Sequence, residues 1–286
     1  QELFMHLEVD GQGNLFHSYF MGDDWSKPEL LKGEVNGESW DAQSAVSADG
    51  QILYFVSDRK GGYGGKDIYR CKRLPNGNWA KADNVGPEVN TRYDEVTPFL
   101  HPNGGILFFS SDGHQTTGGL DIFFSEIDDK GEFGQAINVG YPINSTADDS
   151  YYSLNTEGKR AHFSSVTNSG LGASDIYVAE FADFDEIALT VLRGVISTEN
   201  QPDLASRIEI FVYDNADTLK QPDLYRPNAA TGKYLIMLSP GKDYRIQYEI
   251  DGVIKHTEHI FVPEESAYQE IEKSIDLQPI ELDKKN

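Results

Sequence analysis

Apolar residues in the first two thirds of the chain come in short runs, each about six residues long and bounded by Gly, Asn and Asp. Ile52 to Ser57 is a β-branched and aromatic run of the kind that forms a buried strand. A glycine-rich loop with Gly61, Gly62, Gly64 and Gly65 follows, and then a second run, Asp67 to Cys71. Before them, Ala45-Val46-Ser47 leads into the turn pair Asp49-Gly50, where glycine accepts a positive φ cheaply. After them, Pro75-Asn76-Gly77 makes a turn, and Asn78-Trp79-Ala80 is expected to open a fourth strand. The whole pattern recurs every 54 residues. Asp67-Ile68-Tyr69 returns as Asp121-Ile122-Phe123 and Asp175-Ile176-Tyr177, and Phe55-Val56-Ser57 as Phe109-Ser110-Ser111 and Phe163-Ser164-Ser165. Asn84-Val85-Gly86 matches Asn138-Val139-Gly140, Asn90 matches Asn144, and Trp25, Trp79 and Phe133 share the spacing.

Four short strands joined by tight turns make one blade of a β-propeller, and the repeat is longer than an ordinary solenoid coil. Residues 2–42 read as three strands of a degraded blade, 44–93 and 98–147 as complete blades, and 151–181 as three strands of another. Because closed propellers have four to eight blades, the expectation is a partial propeller, part of a six-bladed ring with further blades upstream; a minimal four-bladed ring is the alternative.

Beyond Phe181 the repeat stops, and Ala182-Asp183-Phe184-Asp185 reads as an acidic connector. Ile187 to Ile196, Ile208 to Tyr213, Lys233 to Leu238, Tyr244 to Ile250, His259 to Val262 and Ile271 to Leu277 are β-prone, with strict alternation at Ile208, Ile210 and Val212. Six or seven strands in about 100 residues without helix signals predict a small β-sandwich. The expected division is therefore 1–182, propeller blades, and 187–282, β-sandwich. The fold class is all-β.

Charge narrows the function. The net charge is −23, spread along the chain, and such a surface repels phosphate, so nucleic acid and anionic membrane surfaces are poor partners. No run approaches the roughly 20 apolar residues of a membrane span. The chain does not open on a basic and apolar leader, so an export signal is expected to lie outside it or to have been removed. Cys71 is the only cysteine, which leaves neither a disulfide framework nor a thiolate zinc site.

Candidate chemistry is sparse. None of the seven histidines stands at metal-ligand spacing, and His162 occupies the strand position of Tyr54 and Phe108, which suits a structural side chain. There is no G-x-S-x-G elbow. Gly61-Gly62-Tyr63-Gly64-Gly65 lacks the G-K-[ST] ending and the following helix of a phosphate loop. Asp67, Asp121 and Asp175 recur in every blade, so they read as blade-building carboxylates that accept N–H groups of the glycine loop rather than as calcium ligands. The expectation is therefore no catalytic residue, no cofactor and no metal. Loops that gather at a propeller rim are the usual place for partners, and those carrying Arg59, Lys60 and Tyr63, then Arg92 and Tyr93, then His114 are the candidate partner-binding surface.

Ser57-Asp58-Arg59, the glycine loop, Asp67-Ile68-Tyr69, Trp79, Asn84-x-Gly86 and Val89-Asn90-Thr91 together resemble the TolB-type propeller repeat, in the version carried by OmpA-family proteins of Bacteroidetes. Gly194-x-Ile196, Thr231-Gly232-Lys233-Tyr234 and Pro240-Gly241-x-x-Tyr244 resemble the carboxypeptidase-regulatory-like, or transthyretin-like, sandwich. The two in this order are similar to the middle of the PorE-like envelope proteins of type IX secretion. The resemblance implies a periplasmic, outer-membrane-associated scaffold whose partners are proteins of the secretion complex. In that family, peptidoglycan binding belongs to an OmpA-like domain and anchoring to a lipidated cysteine. These residues contain neither, so neither property is carried over. A propeller that binds glycan or peptidoglycan fragments through Tyr63 and Tyr93 is the alternative, and a hydrolase with a loop-built site the third reading.

Overall fold

A computed structural model describes residues 2–9, 11–21, 23–166, 172–181, 188–197, 202–216, 221–229, 231–264 and 266–277. The acidic connector after Phe181 and the polar C-terminal run lie outside the described residues. The chain divides into two compact units, Glu2–Ser18 with Lys27–Ile187, and Gln1 and Tyr19–Ser26 with Ala188–Asn286. Among the described residues there is no α-helix.

The first unit is a series of antiparallel blades. A three-stranded sheet of β1 (Glu2–Val9), β2 (Gln12–Tyr19) and β3 (Glu29–Leu30) comes first. The four-stranded sheet β4 (Asp41–Val46), β5 (Ile52–Ser57), β6 (Asp67–Lys72) and β7 (Asp83–Asn84) follows. Its copy is β8 (Glu95–Leu100), β9 (Ile106–Ser111), β10 (Asp121–Glu126) and β11 (Ile137–Asn138). Last come β12 (Asp149–Leu154), β13 (Arg160–Ser165) and β14 (Asp175–Glu180). Strands are paired in sequence order within each sheet, which is propeller-blade topology. Period-two alternation sends the two faces of each blade to different neighbours. Leu53, Phe55 and Tyr69 pack with Leu15 of the blade before, while Tyr54, Val56 and Ile68 pack with Leu107 and Phe109 of the blade after.

One expectation is corrected. The fourth strand lies at Asp83–Asn84, not at Asn78-Trp79-Ala80. Trp79 instead forms isolated bridges to Arg73 and Gly33, and Phe133 bridges Ile127 in the same way. Each aromatic ring anchors a small hairpin against the core, with Trp79 almost fully buried, and this role leaves the ladder to the residues that follow.

In the second unit, β15 (Thr190–Ser197) pairs with β18 (Lys233–Leu238), β21 (Gln269–Glu272) and β22 (Ile275–Asp276). A second sheet orders β17 (Asp223–Tyr225), β16 (Ile208–Asp214), β19 (Lys242–Ile250) and β20 (Val253–Val262). The two sheets share one core, in which Leu192, Ile196, Ile236 and Leu238 meet Ile210, Val212, Ile246 and Tyr248. Asp251 and Gly252 take φ of 49° and 75° and close the β19–β20 hairpin, the backbone that a two-residue turn of matching twist requires.

Candidate functional site

The innermost strands of the three later blades share an irregularity. Pairing slips between Ala42 and Ala45, between Val96 and Phe99, and between Ser150 and Ser153. At each slip a non-glycine residue sits in the left-handed region: Gln43 at φ 45°, Thr97 at 51° and Tyr151 at 54°. Such a backbone costs about 1 kcal/mol or more and persists where surroundings enforce it. Here a chain of hydrogen bonds does so. Thr97 N donates to Gln43 Oε1 at 3.0 Å, Tyr151 N donates to Thr97 Oγ1 at 3.3 Å, and Gln43 Nε2 donates to the Tyr151 hydroxyl at 3.3 Å. Three blades are thereby tied together through their bulges.

These bulges line a recess of about 400 Å³, with Lys66, Asp94, Asp112, Leu120, Asp148 and Ser150 around it. Asp94 Oδ1 accepts Lys66 N at 3.0 Å, Asp148 Oδ1 accepts Leu120 N at 3.0 Å, and Asp112 Oδ1 accepts Asp94 N at 2.9 Å. The Lys66 ammonium lies 3.6 Å from Asp94 and 4.9 Å above the Trp40 ring. Three carboxylates against one ammonium favour hydroxyl and ammonium groups in the recess and repel phosphate.

A second acidic series, Asp41, Glu95 and Asp149, is fully buried at the start of the same strands. Asp41 accepts the Arg59 guanidinium at 2.7 Å. Glu95 accepts Thr91 N, Thr91 Oγ1 and Ser111 Oγ, each at 2.7 Å. Sequence reasoning passed over this series, although acids at 41, 95 and 149 keep the repeat spacing. Burial pushes the Glu95 carboxyl above its ordinary pKa, against the pull of its hydrogen bonds and of His114. The folded chain therefore keeps a proton that the unfolded chain has already lost, so Glu95's contribution to stability is full below its ordinary pKa and declines as pH rises toward the folded value. Glu95→Gln is expected to flatten that decline; urea unfolding of both proteins at stepped pH between about 4 and 7 reads the difference, and parallel curves would assign the proton elsewhere.

Arg59 and His114, read from sequence as loop surface, fill equivalent niches inside the blades. The Arg59 guanidinium lies 4.8 Å from the Phe55 ring and 4.9 Å from Tyr69, and also donates to Ser57 and the Val35 carbonyl. His114 lies 5.8 Å from Phe109 and 5.1 Å from Phe123, the rings at the matching positions, with Nε2 at 2.8 Å from the Val89 carbonyl. Both side chains are committed to holding loops against buried acids.

The other four loop residues are exposed. Lys60 and Tyr63 belong to the glycine loop, and Arg92 and Tyr93 to the entry of the next blade. The two loops are in backbone contact: Gly65 N donates to the Tyr93 carbonyl at 2.9 Å, and a Cβ on Gly64 would meet the Arg92 carbonyl carbon at 2.4 Å. Only glycine allows that approach, which holds the two tyrosine-bearing loops against each other. Arg92 stacks on the Tyr93 ring at 4.7 Å and donates to its hydroxyl at 2.6 Å.

Asp67 and Asp121 sit under their glycine loops. Asp67 accepts Tyr63 N at 2.5 Å, Gly64 N at 3.2 Å and Asn84 Nδ2 at 2.7 Å. Asp121 accepts Thr117 N at 2.6 Å, Gly118 N at 3.3 Å and Asn138 Nδ2 at 2.9 Å. Asp175 is half-buried, with Gly172 N at 3.5 Å. Among the described residues no group of three His, Cys, Asp or Glu side chains is arranged to hold a metal ion. The Cys71 thiol is buried and pushed up to about 12, so it is protonated and inert at neutral pH.

No family model matches the chain, and no curated protein does. Among solved structures it is similar to a TolB-like protein of Agrobacterium tumefaciens at 14% identity and TM-score 0.42, with 63% of this chain and 57% of that one covered. It is also similar to an endo-arabinase of Bacteroides thetaiotaomicron, at 12% identity and TM-score 0.44 over 65% of this chain and 72% of that one. The periplasmic gluconolactonase of Pseudomonas aeruginosa matches at 12% identity and TM-score 0.38, over 94% and 84%. The chain thus spans less than two thirds of the TolB-like protein, and likenesses at this level bring no activity with them.

Proposed function

We propose that this chain is a non-catalytic docking module of a periplasmic, outer-membrane-associated protein that serves type IX secretion, its second unit being a carboxypeptidase-regulatory-like sandwich. The observation that carries the reading is the exposed Lys60, Tyr63, Arg92 and Tyr93 surface, built where two loops of adjacent blades lie backbone to backbone. Tyrosine and arginine are the residue types that dominate binding energy in protein interfaces, and a tyrosine with few rotatable bonds loses little entropy on docking. The repeat and domain order resemble PorE-like envelope proteins in the same sense. The pronounced negative charge turns such a module away from phosphate-bearing partners. Tagged protein incubated with envelope extract is expected to capture outer-membrane secretion components, and Tyr63→Ala with Tyr93→Ala to reduce that capture about tenfold or more. Capture that is unchanged by the double substitution would move the interface away from these loops, and recovery of no envelope component would end the docking reading.

The recess favours a second reading. Gln43, Thr97 and Tyr151 offer amide, hydroxyl and phenol groups beside three carboxylates, a set that suits a polyhydroxylated glycan or peptidoglycan fragment. Calorimetry with muropeptides should then show saturable heat that Tyr151→Ala removes; no heat at millimolar ligand would dismiss it.

A further inference from the structure

Three blades are fastened at their outer edge by the same device. Asn36 accepts Leu15 N at 2.7 Å and donates to the Leu15 carbonyl at 3.0 Å. Asn90 does this to both backbone groups of Ile68 at 2.8 Å, and Asn144 to those of Ile122 at 2.8 Å. One side-chain amide thus imitates a neighbouring strand. Apolar side chains stand one and five residues before each asparagine: Val35 and Leu31, Val89 and Val85, Ile143 and Val139. Together with the blade that follows, they cover the clasped residue, so that Leu15, Ile68 and Ile122 are all completely buried.

Among the described residues, the fourth blade offers the same edge without a clasp. Ile176 pairs with Ser164 as Ile68 pairs with Val56 and Ile122 with Ser110, so its N–H and C=O face the outer edge in the same register. Among the described residues no strand pairs with that edge of β14. Ile176 is 81% exposed and Val178 55%. His162, at the register of buried Tyr54 and Phe108, is exposed as well.

We infer that the outer edge of β14 is a docking site for a partner peptide that folds into the asparagine clasp, a turn with apolar residues one and five positions before an Asn whose amide grips the backbone of Ile176. The edge continues the series of three clasped edges, and those three define what fits it: main-chain-type hydrogen bonds give affinity and the two apolar positions give selectivity, as in strand addition. The inference deepens the docking reading and rests on it. It concerns this edge alone, so it can fail while capture through Tyr63 and Tyr93 stands, and the reverse.

The probe is a blocked synthetic heptapeptide of sequence Asn-Val-Gly-Pro-Glu-Val-Asn, the segment at 84–90. Titrated into the intact isotope-labelled chain, it is expected to shift the amides of Asp175–Glu180 saturably, with a dissociation constant of about 1 mM. Changing its final Asn to Ala should weaken binding about tenfold, since both hydrogen bonds go. Ile176→Asp in the chain should weaken it by at least about tenfold; because the side chain is exposed, circular dichroism of that variant should match the parent. Three results would each overturn the inference: no saturable shift, equal binding of the Ala peptide or of the Ile176→Asp chain, or concentration-dependent dimers abolished by Ile176→Asp, which would give the face to a second copy.

Discussion

Replacing Asp121 with alanine is expected to cost the propeller unit about 4 kcal/mol, because a buried carboxylate that accepts two backbone N–H groups and one amide is lost at once. Thr117 N, Gly118 N and Asn138 Nδ2 would lose their acceptor together. Asn138 is also the acceptor of Asn144 Nδ2 at 2.7 Å, so the damage passes to the clasp on Ile122. Urea unfolding followed by the fluorescence of Trp40 and Trp79, both in the blades, measures the loss as a lower midpoint at unchanged slope. Asp175→Ala is the internal comparison, and on its half-buried site should cost less than half as much. Equal losses at 121 and 175 would mean that the deeper burial of Asp121 adds nothing to its contribution.

In the second unit the largest effect is expected from Gly194→Ala, at about 3 kcal/mol or more. A Cβ there would lie 1.7 Å from the Lys273 carbonyl oxygen and 2.5 Å from its carbon. That carbonyl cannot retreat freely, since the Tyr234 hydroxyl donates to it at 2.6 Å and Lys273 N donates to Arg193 O at 2.7 Å. The chain would have to part β15 from the segment joining β21 to β22. Amide hydrogen exchange over Thr190–Ser197 reads this directly: protection should fall across the strand, while the blades keep theirs. Exchange rates like those of the parent would show that the sheet accommodates a methyl group.

The blade repeat is legible because its punctuation is chemical. A turn needs glycine or asparagine, a buried strand needs β-branched or aromatic residues, and both return at the same spacing. The bulges leave no such trace. Gln43, Thr97 and Tyr151 share a backbone conformation and a hydrogen-bonding role, yet one is an amide, one a hydroxyl and one a phenol, and none is the glycine that a positive φ usually selects. Trp79 drew the fourth strand too early because an aromatic residue after a turn suits a strand start equally well; its packing against Arg73 and Phe4 is a tertiary fact. Arg59 looked like loop surface because arginine usually is. Its buried counter-charge, Asp41, stands 18 residues earlier, and only the fold brings the two together. The β19–β20 hairpin shows the opposite case, in which Asp251-Gly252 states its own turn.

The linkage of Gln43, Thr97 and Tyr151 around the axis has a mechanical consequence. The recess they line resists widening, because drawing any one of the three strands away breaks two of these bonds. A guest entering the recess meets a stiff wall there, and whatever adapts to fit must be the guest.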